Sequence, residues 1–299
     1  MITTLDLRFR NLPRAASAFL LKTSDGHVLI ESGPAACFDT LEQELRRHDS
    51  APNLIKHLFL THIHLDHAGA CGALARTGTV IHVHPRGAPH LIDPSKLNTS
   101  ARRVFGSALD RDLGPMTPAT AQLVHAVGDG EEVLVGDTRF TAMETTGHAR
   151  HHHSWLVTDR DGRHVFTGDA VGMRLADSRF PTLPMVPPEF DLEQWLASIR
   201  RIQKLGADSL WMTHYDEIDD HHAYLDGVHQ RVLDETRLIA SILPKSQEEA
   251  IETYSDWHID LAESAGVPAD RVRTYCDTGH YRANLTGVGR WIEKGGRIP

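Results

Sequence analysis

A short run of metal-binding side chains, Thr61–Gly69, constrains the fold and chemistry of this 299-residue chain more than any other feature. Its pattern His-x-His-x-Asp-His places His62, His64, Asp66 and His67 within six consecutive positions. Imidazole and carboxylate groups suit zinc, iron and manganese alike. The residues just before the run are apolar and predict a short buried strand, so the run lies at the carboxyl end of a strand, where α/β proteins usually place their chemistry. The pattern therefore predicts a metal site on an α/β fold.

Three more candidate ligands occur downstream, each at the end of an apolar, strand-like run. They are His148 after Thr-Thr-Gly, Asp169 after Phe-Thr-Gly and His214 after Trp-Met-Thr. Two cations that share a water molecule are a recurring device for hydrolysis, because the water becomes a nucleophile near neutral pH. The motif and the three later residues together supply enough ligands for two metals.

On these residues the chain resembles the metallo-β-lactamase superfamily, over roughly residues 15–215. The resemblance implies one metal held by His62, His64 and His148, a second held by Asp66, His67 and His214, and Asp169 bridging both. One position departs from the family, which usually has an aspartate in a strand-end Asp-x-Gly turn. This chain has Glu31 there, and we expect it to support the ligands in place of that aspartate.

The function implied by the resemblance is metal-dependent hydrolysis. We expect two divalent ions, with zinc favoured over iron or manganese, and a small-molecule ester, lactone or thioester as substrate. Asp66 is the candidate catalytic residue, because it can bind metal and also orient or shuttle the proton of the attacking water. The stretch from His67 to His148 is longer than in glyoxalase II-like members, which favours lactonase or organophosphate-hydrolase relatives.

Other functions stay open at this point. The main alternative is a persulfide dioxygenase of the same superfamily, which uses one iron held by two histidines and an aspartate. A phosphotriesterase is less favoured. A nuclease is disfavoured by the net charge of −9, which does not suit a phosphate backbone. A non-catalytic binding module would have lost some ligands, and all seven are present.

Residues near the predicted ligands are candidates for substrate contact or for support of the metals. They are His151 and His152, together with their neighbour His153, and Tyr215 beside His214. Residues 85–128 form a long proline-containing insertion, interpreted as a lid, in which His90, Leu91 and Phe105 could reach a substrate.

Hydrophobic periodicity predicts the architecture. Paired β-strands, such as those flanking Ser24-Asp25-Gly26, alternate with covering helices, which predicts an α/β (α+β) protein with a four-layer αββα sandwich of two mixed sheets. Residues 1–215 are predicted to form this domain, and 216–299 a C-terminal helical appendage packed on it. The appendage could also provide a homodimer contact.

Composition favours a compact, water-soluble enzyme with a small-molecule partner, and neither nucleic acid nor membrane is expected. The chain has no 18-residue apolar stretch, and its first residues lack the basic start and apolar core of a signal peptide, so we expect a cytoplasmic protein. Its three cysteines, Cys37, Cys71 and Cys276, are odd in number and widely spaced, which predicts free thiols. Cys71 is close to the motif but is interpreted as a packing residue.

Overall fold

A computed structural model of the chain describes residues 2–175, 178–218 and 221–299, and these residues form two compact units. The first unit comprises Met1–Glu144, His151–Gly168 and Ala207–Ile218, and the second comprises Thr145–Arg150, Asp169–Gly206 and Asp219–Pro299. Residues 145–150 and 169–206 thus group with the C-terminal helices. The predicted division into 1–215 and 216–299 stays a prediction.

Two six-stranded mixed sheets, both in the first unit, form its framework. In hydrogen-bonded order the first sheet contains β1 (Ile2–Asp6), β2 (Ser17–Thr23), β3 (Gly26–Ile30), β4 (Ile55–Phe59), β5 (Val80–Val83) and β6 (Val124–Ala126). The second contains β7 (Glu132–Val135), β8 (Thr138–Glu144), β9 (His153–Asp159), β10 (Gly162–Phe166), β13 (Ser209–Met212) and β14 (Asp216–Ile218). Strands β3 to β6 run parallel, as do β10 and β13, and the other neighbours are antiparallel.

The alternation of side chains along β2 explains why the first sheet is buried on both faces. Phe19 and Leu21 point into the core between the sheets, whereas Ala18 and Leu20 point into a second core against helices. Between the sheets, the ring of Phe59 stacks on that of Phe140 with centroids 4.0 Å apart. The two cores give the first unit its layered order of helices, sheet and sheet.

Five helices of the first unit belong to the helical layer and its connections: α1 (Phe38–Arg47), α2 (Leu65–Ala68), α3 (Cys71–Ala75), α4 (Ala88–Ile92) and α5 (Ser95–Phe105). The predicted insertion 85–128 contains α4, α5 and the edge strand β6, and it contributes core residues such as Leu91 and Leu113. Leu91 is fully buried in the helix-facing core, and its contact with a substrate stays a prediction.

The second unit is mainly helical and also contains a two-stranded ribbon. Its elements are β11 (Met173–Arg174), β12 (Pro181–Thr182), α6 (Leu192–Gln203), α7 (His221–Ile242), α8 (Gln247–Ser264), α9 (Ala269–Tyr275) and α10 (Thr278–Glu293). Asp191 caps α6, accepting a hydrogen bond from the backbone N–H of Gln194 at 3.0 Å. Helix α6 packs on α7, and α10 packs on α7 and α8.

The predicted fold class is confirmed: two mixed sheets are accompanied by flanking helices and C-terminal helices. All three cysteines are buried and free, as predicted. Burial raises the pKa of the Cys71 thiol to about 12, which suits a packing role. Within the residues that the structure describes, no helix combines the length and apolar character needed to span a membrane.

Candidate metal centre

The parallel pairing of β3 with β4 brings two parts of the candidate site to one edge of the first sheet. Glu31 follows β3 directly, and His62 and His64 lie in the loop that follows β4. His62 is fully buried, and His64 is half-buried. Nε2 of His62 lies 3.0 Å from Nδ1 of His64, so the two rings present nitrogen atoms to one point.

The one-turn helix α2 presents the Asp-His part of the motif. Leu65 and Ala68 are three positions apart and pack into the helix-facing core. Asp66 and His67 lie between them in sequence and project from the rest of the turn. The backbone N–H of His67 donates to the carbonyl of His64 at 3.0 Å, which fixes the turn against the preceding loop.

His214 follows β13 of the second sheet, and its ring lies beside Asp66 and His67. Its Nε2 lies 3.3 Å from Nε2 of His67 and 3.5 Å from Oδ2 of Asp66, and Nε2 of His67 lies 3.8 Å from the same Oδ2. His67 is completely buried and His214 nearly so. Three potential ligand atoms therefore face one another, two on buried rings and one on the partly exposed Asp66, and they are the three residues predicted for the second metal.

Hydrogen bonds to the far side of each ring define which nitrogen can bind a metal. His67 donates from Nδ1 to Glu31 Oε1 at 2.9 Å, and His214 donates from Nδ1 to the carbonyl of Ala15 at 2.6 Å. A neutral imidazole has one N–H, so both Nε2 atoms carry lone pairs. Two lone pairs and a carboxylate oxygen repel each other at these distances, and a cation between them removes that repulsion. The donor set therefore fits a divalent metal.

Glu31 is the buried acceptor at the centre of this arrangement. Besides His67, it receives hydrogen bonds from Thr61, through the backbone N–H at 3.2 Å and Oγ1 at 2.5 Å, and from Thr213 Oγ1 at 3.2 Å. Its φ of +62° lies in the left-handed region, which costs a non-glycine residue about 1–2 kcal/mol. Thr61 and Thr213 were not among the predicted residues, although each directly precedes a predicted ligand in sequence.

The second unit holds the two remaining predicted ligands. His148 donates from Nδ1 to the carbonyl of Pro184 at 2.8 Å, and its Nε2 lies 3.4 Å from Asp169 Oδ2. Gly147 has a φ of +123°, and a Cβ there would lie 2.3 Å from the backbone of Trp195. Only glycine can bring the chain to His148 along this path. As in the first unit, the hydrogen bond engages Nδ1, so Nε2 is the ring nitrogen that could bind a metal.

The other predicted residues are distributed around the motif. The rings of His151 and His152 lie 6.1 Å and 4.9 Å from that of His62. His153 packs instead against His84, with ring centroids 4.5 Å apart. Their roles toward a substrate stay predictions.

Tyr215 is buried, and the guanidinium of Arg14 lies 5.2 Å from its ring centre. Burial, followed by the nearby Asp6 and Asp216 carboxylates, raises the pKa of Tyr215 well above its ordinary value. The hydroxyl is therefore neutral near pH 7. Its proposed contact with substrate stays a prediction.

Comparison with known proteins identifies the family. Residues 11–214, more than half of the chain, match the family described as "Metallo-beta-lactamase superfamily". The chain belongs to this superfamily. The family prediction is thereby confirmed, and members of the superfamily are mostly metal-dependent hydrolases.

Two relatives support this assignment in sequence. The "Metallo-beta-lactamase fold-containing protein ST1585" of Sulfurisphaera tokodaii is 30% identical over 151 residues, a match that spans 49% of this chain and 55% of that protein. The "Beta-lactamase-like protein 2 homolog" of Caenorhabditis elegans is 22% identical over 257 residues, covering 83% of this chain and 75% of that protein.

Solved structures share the fold over nearly the whole chain. The crystal structure of ST1585 from Sulfolobus tokodaii has a TM-score of 0.66 at 21% identity and covers 96% of this chain and 98% of that one. The "metallo-beta-lactamase family protein TTHA1429" of Thermus thermophilus has a TM-score of 0.68 at 18% identity and covers 98% and 94%. At these identities the likeness concerns the fold alone.

Proposed function

We propose that the chain is a dinuclear metal-dependent hydrolase that attacks the carbonyl carbon of a small-molecule ester, lactone or thioester. The observation that supports this most directly is the group formed by Asp66, His67 and His214. Its ligand atoms lie within 4.8 Å of one another, and hydrogen bonds on the far side of both rings commit the Nδ1 protons elsewhere.

The proposed ligand set is the one that the family resemblance implies. In that set, His62, His64 and His148 would hold one metal, Asp66, His67 and His214 would hold the other, and Asp169 would be the ligand shared by both. Support comes from each unit separately, because the first unit clusters five of these residues and the second pairs His148 with Asp169. We propose zinc at both positions, since borderline imidazole ligands dominate the set.

Divalent metals bound in this way would make a water molecule nucleophilic near neutral pH and would stabilise negative charge on a carbonyl oxygen. Asp66 adds a proton acceptor. Its side chain is 28% exposed, whereas those of His67 and His214 are 0% and 6% exposed, so Asp66 is the ligand of this group best able to reach both solvent and substrate. We propose that Asp66 orients the attacking water and accepts its proton.

The experiment compares Asp66→Asn with Asp256→Asn, a control at an exposed position of α8. Hydrolysis of an aryl ester, a lactone and a thioester is measured together with zinc content. We expect Asp66→Asn to reduce kcat by about 10²–10⁴-fold on whichever substrate the wild type turns over, because a positioned proton acceptor contributes this much. Asp256→Asn should match the wild type.

Two results would contradict the proposal. Full turnover by Asp66→Asn with both metals bound would show that Asp66 is not the proton acceptor. One iron ion per chain without zinc, together with oxygen consumption on a persulfide, would replace the hydrolase by the dioxygenase alternative.

A further inference from the structure

One short backbone segment of the second unit, Leu183–Met185, is held by a single buried side chain. Asn284 of α10 is fully buried. Its Nδ2 donates to the carbonyl of Leu183 at 2.7 Å, and its Oδ1 accepts from the backbone N–H of Met185 at 2.9 Å. The two ends of one amide group therefore bind the residues on both sides of Pro184.

The segment held in this way orients a predicted ligand. Pro184 has no N–H, so its carbonyl oxygen is its only polar backbone atom, and this oxygen accepts the Nδ1–H of His148 at 2.8 Å. A carbonyl can only accept, which leaves the lone pair of the neutral His148 ring on Nε2. Nε2 is the atom that lies 3.4 Å from Asp169 Oδ2. A shift of the Pro184 carbonyl would therefore rotate the His148 ring or break the hydrogen bond from its Nδ1–H.

Helix α10 is fitted closely to this segment. Gly287, one turn after Asn284, lies so near that a Cβ would come within 1.9 Å of the Met185 carbonyl oxygen. The hydroxyl of Thr236 on α7 also lies 3.9 Å from the sulfur of Met185. Helix α7 therefore contacts this segment at Met185, and α10 contacts it at Leu183 and Met185. The segment has no regular secondary structure of its own.

Asn284 is itself fixed by a buried polar chain. Its Nδ2 lies 2.9 Å from the hydroxyl of Tyr254, which donates in turn to the carboxylate of Glu235. Arg231 donates from Nε to the same carboxylate at 2.7 Å. The Arg231 guanidinium lies between aromatic rings, 4.6 Å from the centre of Phe180 and 4.7 Å from that of Trp257. This charged anchor restricts the orientation of the Asn284 amide.

We propose that Asn284 is a positioning residue for the metal centre. By holding the Leu183–Met185 backbone, it keeps the Pro184 carbonyl where it fixes the tautomer and direction of the His148 ring. The proposal rests on the proposed function in one respect, namely that His148 binds a metal. Outer partners of metal-binding histidines commonly change metal affinity by about 10–100-fold when they are altered.

The test compares three variants. Asn284→Asp keeps the oxygen that accepts from Met185 but loses the N–H that donates to Leu183. Tyr254→Phe keeps both bonds of Asn284 to the segment and removes only its anchor. Val288→Ala, at a fully buried position one turn along α10, removes core volume without touching the segment's hydrogen bonds and serves as the matched control for stability.

Two readouts are combined. Zinc affinity is measured on the metal-free protein by competition with a fluorescent chelator, and the tautomer of His148 is read from its ring nitrogen NMR shifts in the metal-free protein, with His148→Gln providing the assignment. We expect Asn284→Asp to weaken one of two zinc sites by about 10–100-fold and to mix the tautomers of His148. Tyr254→Phe should have a smaller effect in the same direction, and Val288→Ala should lower only the thermal stability.

The proposal would be overturned if Asn284→Asp lost thermal stability as Val288→Ala does, yet kept the wild-type tautomer and both zinc affinities. Failure of the proposed function looks different. If the wild type bound no zinc, the hydrolase proposal would fail, while the tautomer measurement would still decide whether Asn284 orients His148.

Discussion

The two compact units orient a candidate metal ligand by different means. In the first unit, His67 donates to the carboxylate of Glu31, a buried charged side chain that collects hydrogen bonds from two threonines as well. In the second, His148 donates to a neutral backbone carbonyl, that of Pro184. The orientation of His67 therefore depends on side-chain chemistry, whereas that of His148 depends on the path of the backbone. Substitutions of each kind should therefore act unequally in the two units.

The largest expected effect is the loss of stability caused by a substitution in the backbone path that leads to His148. At Gly147 the φ is +123°, and the Cβ of an alanine would lie 2.3 Å from the Trp195 backbone. Backbone atoms cannot move aside as a side chain can. We expect a loss of about 3 kcal/mol in the free energy of unfolding, because strain and overlap add. Urea denaturation measures it. Gly206→Ala is the control, since Gly206 also has a positive φ, +60°, but has no neighbour within 4 Å. Equal losses in the two variants would show that crowding at Gly147 is unimportant.

Glu31→Gln tests how far His67 depends on the Glu31 side chain. The amide oxygen, placed where Oε1 lies, can still accept from His67, but the amide NH₂ would then face the backbone N–H of Thr61, which donates to Oε2 in the wild type. We expect a loss of about 1–3 kcal/mol in stability and about 10–100-fold weaker binding of one zinc ion. Calorimetric titration of the metal-free variant measures the affinity. Glu252→Gln, exposed on α8, controls for the loss of charge. Wild-type zinc affinity in Glu31→Gln would mean that His67 needs no charged acceptor.

The smallest expected effect is on the pH dependence of the free energy of unfolding. Each unit contains a buried histidine that should contribute to it. In the first unit, burial followed by the neighbouring His57 and His125 lowers the pKa of His82 to about 3. In the second, burial followed by the Arg231 charge lowers the pKa of His258 to about 3. Below an ordinary value of 6.5 the unfolded chain binds protons that the folded one does not, so stability falls as the pH drops.

Each of these histidines should contribute up to about 1.4 kcal/mol per pH unit to that fall. His82→Asn and His258→Asn should each flatten the pH dependence of the free energy of unfolding between pH values of about 6 and 4, measured on the metal-free protein by urea denaturation. Exposed His222 provides the control, His222→Asn. A slope unchanged in both buried variants would show that neither ring resists protonation.

Much of the fold could be predicted from sequence because it follows local patterns. The hairpin at Ser24-Asp25-Gly26 follows from period-two alternation and turn residues, and the structure has it at the predicted position. The three-residue strand β6 lies inside the predicted insertion and was missed. It is too short for a periodic signal, and its pairing with β5 defines it.

The ligands of the candidate centre could be predicted for a different reason, because histidine and aspartate side chains themselves bind metals. Their supporting acceptors were not. The carbonyls of Ala15 and Pro184 carry no sequence signal, because every residue has a carbonyl group. Asn284 contacts Leu183 across 101 positions, and only the packing of α10 brings them together. Glu31 was identified because it occupies a family position at the end of a strand.

The most direct test of the account is metal content per chain, measured by elemental analysis of protein purified without a histidine tag or added metal. The account predicts two zinc ions in the wild type and one in His214→Ala, because that substitution removes a ligand of only one proposed site. A single metal ion in the wild type, or two in His214→Ala, would contradict the dinuclear centre.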